Sequence, residues 1–226
     1  MIYATLILLW EGCTPVFADI DPDTLCLAPE AVEEALDVHP DVAGLLPVHV
    51  YGNACDVDRL ERLCIERGLT CMYDAAHAFG STLNGHTLLE FGNYAACSFH
   101  ATKLFHTVEG GCLVTHSIED QRRVELLRAF GHIGDEHLTL GINAKMSELQ
   151  AAMGLCLLPL LAENIRLREK ICTRYDALLT STAARGRLRR PRLASGLSYN
   201  YAYYPIIFED ETQLLRVKTA LEAKHI

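Results

Sequence analysis

The stretch that decides the fold is Cys97-Ser98-Phe99-His100-Ala101-Thr102-Lys103, preceded one strand earlier by Asp74-Ala75-Ala76-His77. In each place an apolar, β-prone run ends in polar residues. The runs are residues 69–73, before the second stretch quoted, and residues 94–99, which overlap the first. Because each run changes abruptly to polar residues, we expect the polar groups at the carboxyl ends of two buried parallel strands. Open α/β sheets bind ligands at that edge. The pattern therefore predicts an α/β fold with a ligand site at the carboxyl edge of its sheet.

The two strand ends carry opposite chemical groups, the carboxylate of Asp74 and the amine of Lys103. This pair suits pyridoxal phosphate, a cofactor with a basic ring nitrogen and an aldehyde that condenses with an amine. Asp74 would keep the ring nitrogen protonated, because a nearby anion favours the cationic ring. Lys103 is the candidate amine that bonds the aldehyde. Singly, Lys103 could be a surface lysine and Asp74 could end its strand in an Asx turn.

Five segments of the chain carry a family resemblance. They are PVFADIDP (15–22), LLPVHVYGNACDVD (45–58), YDAAHAFGS (73–81), CSFHATKLFHTVEGG (97–111) and GINAKMSELQAAMG (141–154). In this order they resemble the DegT/DnrJ/StrS family of pyridoxal-phosphate-dependent nucleotide-sugar aminotransferases. The resemblance runs from about residue 2 to at least residue 175. The His-Ala-Thr-Lys form most resembles members that aminate C4 of a dTDP-4-keto-6-deoxyhexose.

The resemblance implies the fold and the division of the chain. The fold would be the α/β large domain of the fold type I pyridoxal-phosphate transferases, with a mostly parallel sheet, plus part of a small α+β C-terminal domain. Residues 1–145 would bind the cofactor, residues 146–180 would form connecting long helices, and residues 181–226 would belong to the small domain. The resemblance also implies an internal portion of a longer enzyme. A glycine-threonine phosphate loop would precede Met1, and an aromatic residue that stacks on the pyridine ring would align at about Met1.

The resemblance also implies roles for further cofactor-binding residues. Ser98 matches a serine whose hydroxyl contacts the cofactor phosphate, and His77 matches a position that contacts the 3-hydroxyl side of the ring. Asn143 matches an asparagine that reaches the phosphate of the neighbouring subunit's cofactor, which implies a homodimer with shared sites. Structural alternatives stay open. Ser98 can serve a turn, His77 can be a structural histidine, and Asn143 can cap a helix that starts near Met146.

Two functions from different classes follow. The first is transamination, in which L-glutamate supplies the amino group to a dTDP-linked keto-deoxysugar for O-antigen or similar surface-glycan synthesis. Lys103 would then also move a proton, while His100 and Lys145 are candidates to contact the substrates. The second is a truncated, catalytically inactive remnant that serves as an interaction module. A sugar dehydratase of the same superfamily is disfavoured, because such members have histidine in place of Lys103.

Composition argues against several other classes of protein. The 226-residue chain has a net charge of −9 and no long basic run, which argues against a nucleic-acid partner. Nine cysteines without a Cys-x-x-Cys spacing indicate buried thiols in a reducing compartment. The apolar residues 1–10 lack the basic region and cleavage site of a signal peptide and are too short to span a bilayer. No histidine or cysteine spacing indicates a metal site, and no Gly-x-Gly-x-x-Gly indicates a nicotinamide site. We therefore expect a cytoplasmic protein without a membrane or metal partner.

Local patterns predict the surrounding elements. We expect strands at residues 14–20, 42–50, 70–75, 94–99, 111–115 and 199–208. We expect helices at residues 29–38, 56–68, 121–130 with its start at Ser117 or Glu119, 146–175 with a bend near Pro159, and 211–224. In the helix at 56–68, one apolar side is expected to consist of Leu60, Leu63, Cys64 and Ile65. Residues 1–10 are expected to form a buried helix end, and residues 131–141 a functional loop.

Overall fold

The computed structural model describes residues 2–226. Met1, where the resemblance places the stacking aromatic residue, lies outside the described residues. The helices are α1 (Ile2–Trp10), α2 (Pro29–Val38), α3 (Val57–Arg67), α4 (Ile118–Leu127), α5 (Glu148–Leu157), α6 (Leu161–Ala183) and α7 (Glu211–Glu222). The strands are β1 (Gly44–Leu45), β2 (Thr70–Asp74), β3 (Thr82–Leu83), β4 (His86–Thr87), β5 (Tyr94–Ser98), β6 (Gly111–Thr115), β7 (His132–Ile133), β8 (Glu136–His137), β9 (Leu188–Arg189), β10 (Leu197–Ser198) and β11 (Ile207–Phe208).

The central sheet has the strand order β1-β2-β5-β6. β1 pairs with β2 and β2 with β5 in parallel, whereas β5 and β6 are antiparallel. An isolated parallel bridge joins Val48 to Asp74 and extends the β1–β2 pairing to the end of β2. The expectation of an α/β fold with a mostly parallel sheet is confirmed, and the parallel strands end at one edge.

Helix α3 shows why the prediction from local signals succeeds here. The side chain of Asp56 accepts a hydrogen bond from the backbone N–H of Arg59, and Gly68 closes the helix with a left-handed φ of 67°. Leu60 and Leu63 are buried in the core against the sheet. Ile65, expected on the same apolar side, is instead 81% exposed, because its position on the helix faces away from the core.

The long helical region divides at Pro159, as expected. α5 begins at Ser147, whose side chain and that of Gln150 form a reciprocal capping box. A 3₁₀ turn at Leu158–Leu160 contains the proline, which cannot donate the backbone hydrogen bond of a continuous helix. α6 then runs to Ala183, farther than the predicted end at residue 175.

Three predicted strands are wrong over most of their length. Residues 14–19 form no strand, and only an isolated bridge pairs Ile20 with Leu27. In residues 42–50 only β1 is a strand, because Pro47 has no N–H to donate and a 3₁₀ turn starts at Val50. In residues 199–208 only β11 is a strand. The preceding segment instead bonds to side chains and contains a left-handed residue, Tyr201, with a φ of 52°.

Other expectations hold only in part. α1 is helical, but Leu6, Ile7, Leu9 and Trp10 are 53–89% exposed, so the helix is not buried in this chain. α4 begins after Ser117, one of the two predicted starts. Residues 131–141 contain the β7–β8 hairpin within the predicted loop.

The cysteines and the helices bear on the remaining expectations. Cys13 and Cys156 are exposed and Cys112 is half-buried, while the other six cysteines are buried, and all nine are free thiols. The expectation of buried thiols is therefore wrong for Cys13 and Cys156.

Between residues 2 and 226, no helix has the length and apolar character needed to cross a membrane.

Candidate active site

The site is built where two parallel strands end. Asp74 is the last residue of β2 and lies opposite Ala96 of β5, and Ser98 ends β5 two residues later. The side chains of Asp74 and Ser98 are half-buried. Ala75 is fully buried behind the strand end, so the chain turns away without a bulky side chain at that point. The sheet therefore presents a carboxylate and a hydroxyl at neighbouring positions on one edge.

Lys103 stands in the turn that follows β5. Its backbone N–H donates to the carbonyl of His100 at 2.9 Å, which closes the turn, and its side chain is half-buried. Across residues 2–226, the Nζ of Lys103 makes no hydrogen bond or ion pair. The Oδ1 of Asp74 accepts from the N–H of Ala76 at 3.0 Å, and within the same range Oδ2 has no partner. One carboxylate oxygen and one amine are thus left for a ligand.

His77 links the two groups electrostatically. Partial burial, and after it the positive charge of Lys103, lower the pKa of His77 to about 4, although the negative charge of Asp74 opposes both. Asp74, His77 and Lys103 are therefore close enough for their charges to interact. The Nδ1 of His77 accepts from the backbone N–H of Tyr51 at 3.2 Å, so the neutral ring carries its proton on Nε2.

His49 is a structural residue beside this edge. It is completely buried, its ring stacks on that of Tyr73 at 4.5 Å, and its Nδ1 accepts from the N–H of Cys55. Burial lowers the pKa of His49 to about 3, and within the described residues its Nε2 has no hydrogen-bond partner. The N–H of His49 donates to the carbonyl of Asp74 at 3.0 Å, so this segment fixes the end of β2. In the part of the chain that the structure describes, no group of histidines, cysteines and carboxylates could hold a metal ion.

The remaining predicted residues lie apart from this group. The ring of His100 is exposed and contacts Thr102 and, at 3.6 Å, Glu109. Asn143 and Lys145 are also exposed and bond to each other, Nζ to Oδ1, at 2.7 Å. Within one chain neither contacts Asp74, His77, Ser98 or Lys103 by a hydrogen bond or ion pair, as far as residues 2–226 are concerned. The competing capping role for Asn143 is not observed, because Ser147 caps α5.

Sequence reasoning missed three residues that surround His77. The ring of Tyr51 is parallel to that of His77 at 6.0 Å, and the ring of Tyr203 is tilted against it at 4.7 Å. The buried side chain of Asn200 donates to the carbonyl of His77 at 2.8 Å. Tyr51 and Gly52 lie in the segment at residues 45–58 that carries part of the family resemblance. Asn200 and Tyr203, in contrast, lie in residues 199–208, for which the sequence predicts an ordinary strand.

Comparison with known proteins decides the family. The DegT/DnrJ/EryC1/StrS aminotransferase family model matches residues 4–226. The chain belongs to that family. The family's cofactor is pyridoxal phosphate, and the fold expected from the resemblance is confirmed by solved structures. TlmJ, an aminotransferase from Streptoalloteichus hindustanus, is 27% identical and superposes with a TM-score of 0.91 over 99% of this chain and 61% of its own.

Two curated relatives show the range of substrates in the family. The dTDP-4-amino-4,6-dideoxy-D-glucose transaminase of Shigella dysenteriae is 36% identical over 92% of this chain and 56% of its own length. The L-glutamine:2-deoxy-scyllo-inosose aminotransferase of Streptomyces kanamyceticus is 34% identical over 84% of this chain and 47% of its own. The chain thus spans about half the length of these relatives.

The residues at the strand ends fit pyridoxal phosphate. The free oxygen of Asp74 can accept from a protonated ring nitrogen, and the unpaired amine of Lys103 can reach an aldehyde. The hydroxyl of Ser98 accepts from the N–H of His100 at 3.3 Å, and its own proton has no acceptor within residues 2–226. That proton is available to a phosphate oxygen. The three residues therefore offer a carboxylate for the ring nitrogen, an amine for the aldehyde and a hydroxyl for the phosphate.

Proposed function

We propose that this chain is the cofactor-binding part of an aminotransferase that acts on a nucleotide-linked keto-deoxysugar. One observation carries the proposal. Asp74 ends β2, Lys103 follows the end of the adjacent parallel strand β5, the charges of both act on His77, and each has an unbonded polar atom within the described residues. The family membership supports the reaction class, and the Shigella relative supports a dTDP-4-keto-6-deoxyhexose as the substrate.

Each residue of the site has one proposed task. When bound, pyridoxal phosphate supplies an electron sink for the carbon that loses its proton. Lys103 would hold the cofactor through its aldehyde, and its amine, when free, would take the proton from the α-carbon of the amino donor. Asp74 would hold a proton on the ring nitrogen, and Ser98 would donate a hydrogen bond to the phosphate. His77 stays neutral at pH 7 because its pKa is about 4, so its Nε2–H can donate to the ring's 3-oxygen.

We also propose a shared site in a homodimer. Asn143 and Lys145 are exposed and bond to each other, and neither contacts the strand-end residues of its own chain in the range 2–226. Both would be available to a partner subunit, where Asn143 would contact the cofactor phosphate and Lys145 a substrate. His100, on the exposed side of the turn before Lys103, is the second proposed substrate contact.

The biological setting and the division of the chain complete the proposal. L-glutamate is the proposed donor, and O-antigen or another surface glycan is the proposed product pathway. The nine free thiols fit a reducing cytoplasmic compartment. Residues 1–145 would form the cofactor-binding portion, residues 146–180 the connecting helices, and residues 181–226 part of the small domain.

The test is amino transfer by the chain supplied with pyridoxal phosphate, L-glutamate and a dTDP-4-keto-6-deoxyhexose. Mass spectrometry should detect a dTDP-amino sugar together with an equal amount of 2-oxoglutarate. Lys103→Ala should abolish both products, whereas Lys170→Ala, which removes an exposed lysine on α6, should leave them unchanged. Cofactor binding without product in the parent chain would reject the transaminase and favour the inactive interaction module.

A further inference from the structure

The segment that covers His77 comes from the far end of the chain. Residues 199–203 lie against the 3₁₀ turn Val50–Gly52 and the turn after β2. The hydroxyl of Tyr199 donates to the carbonyl of Tyr51 at 2.8 Å. The ring of Tyr203 contacts those of Tyr51 and His77, with ring centroids 5.4 Å and 4.7 Å apart. The half-buried ring of His77 is therefore flanked by two aromatic rings that belong to different parts of the chain.

Asn200 makes the polar contacts of this cover. Its side chain is completely buried, and Nδ2 donates to the carbonyls of His77 and Phe79 at 2.8 Å and 3.0 Å. Its Oδ1 accepts from the N–H of Ala202 at 3.0 Å. Both amide protons are thus bonded to the turn that carries His77, and the acceptor is bonded to the covering segment. A buried amide satisfied in this way fixes the relative position of the two segments.

The fit around Asn200 leaves no spare room. Gly52 has a φ of +86°, and a Cβ atom there would lie 2.7 Å from Oδ1 of Asn200 and 2.8 Å from the carbonyl oxygen of His77. The hydroxyl of Ser81 donates to the carbonyl of Gly52 at 3.0 Å and accepts from the N–H of Asn200 at 3.2 Å. The turn, the glycine and Asn200 therefore hold one arrangement.

We propose that Asn200 is a positioning residue of the site, because its amide fixes the turn that places the His77 ring beside Asp74 and Lys103. The inference rests on the function proposed above, in which His77 donates to the cofactor. Asn200 itself touches neither Asp74 nor Lys103 by a hydrogen bond in residues 2–226, so it acts through His77.

Asn53 provides a matched control. It is also a buried asparagine, 2% exposed, and it also makes three side-chain hydrogen bonds to the backbone, to Thr24, Arg192 and Ala194. Like Asn200, it ties the C-terminal segment to the sheet portion, but it has no bond to the His77 turn. A general loss of contacts by the C-terminal segment should occur in both the Asn53 and the Asn200 variants. A local effect on His77 should occur only in the Asn200 variants.

The experiment compares Asn200→Ala and Asn200→Ser with Asn53→Ala in the full chain. The first readout, without cofactor, is the pKa of His77 by NMR, with its signals assigned through His77→Gln. We expect a rise from about 4 toward 6.5 in both Asn200 variants, because the ring becomes more solvated, and no change in Asn53→Ala. The second readout is pyridoxal phosphate affinity, which should weaken about tenfold only in the Asn200 variants, as when a residue that orients a ligand is removed.

An unchanged His77 in both Asn200 variants, or an equal change in Asn53→Ala, would overturn the proposal. If neither Asn200 variant folds, the reciprocal measurement decides. His77→Gln should shift the side-chain amide signals of Asn200 but not those of Asn53, and unmoved Asn200 signals would reject the coupling. A parent chain that binds no pyridoxal phosphate would reject the proposed function, while the cofactor-free NMR readout would still test Asn200.

Discussion

Acid should destabilise this chain through His49. Its pKa is about 3 in the folded chain against 6.5 for an ordinary histidine, so the unfolded chain binds a proton more readily. The stability that depends on neutral His49 is fully present above pH 6.5 and is lost as pH falls from 6.5 toward 3. Over the whole window this loss amounts to about 5 kcal/mol, at 1.36 kcal/mol for each pKa unit. Between pH 7.5 and pH 5.0 the same relation gives a loss of about 2 kcal/mol.

The assay is urea unfolding at pH 7.5 and pH 5.0, followed by far-UV circular dichroism. Fluorescence is a poor probe because Trp10, the single tryptophan, is 89% exposed on α1. In His49→Asn the amide oxygen can still accept from the N–H of Cys55, but no group titrates there. We expect this variant to be less stable at pH 7.5, because it leaves a void, and to lose about 2 kcal/mol less than the parent on acidification.

The control is His116→Asn, which removes an exposed histidine and should keep the parent's pH dependence. The folded chain also loses stability through His77 as pH falls from 6.5 toward 4. Because His77 is present in all three proteins, this loss cancels when their pH dependences are compared. An equal fall in stability for the parent and His49→Asn would refute the reasoning. It would show that the folded chain accommodates a charged His49 at no cost.

Three further changes test the fold and the site. Gly92→Ala should cost roughly 2 kcal/mol or more in urea unfolding, because φ is +78° and a Cβ atom would lie 2.8 Å from the ring of Tyr73, and an unchanged midpoint would contradict that packing. Ser147→Ala should cost about 1 kcal/mol through loss of the capping box, with Ser147→Thr as the control that keeps the hydroxyl, and equal losses in both would argue against the cap. Asp74→Asn should leave pyridoxal phosphate attached but lower the rate of amino transfer about a hundredfold, measured as kcat, and a parental kcat would remove Asp74 from the proposed chemistry.

Local signals in the sequence predict those elements that local interactions form. α3 is set by a cap at Asp56 and a glycine at Gly68, and the break at Pro159 follows from the missing N–H. The strand ends at Asp74 and Ser98 could be predicted because an apolar run stops abruptly at each. These signals act over a few residues, so the sequence contains them in readable form.

The remaining features depend on contacts that the sequence does not display. Residues 199–206 have the composition of a strand. The side chain of Asn200 instead bonds to a turn 123 residues earlier, and among the described residues the segment does not pair with a neighbouring strand. The role of His49 was likewise hidden, because only the packed structure shows that it is fully enclosed beside Asp74. The part of the site that holds His77 therefore could not be predicted from strand ends alone.

The most direct test of the central claim is the attachment point of the cofactor. The chain is mixed with pyridoxal phosphate, reduced with borohydride, digested and analysed by mass spectrometry. We expect the cofactor's mass on the peptide that contains Lys103, a visible absorbance band before reduction, and neither signal in Lys103→Ala. Attachment mainly at other lysines, or an unchanged band in Lys103→Ala, would contradict a site built from the ends of β2 and β5.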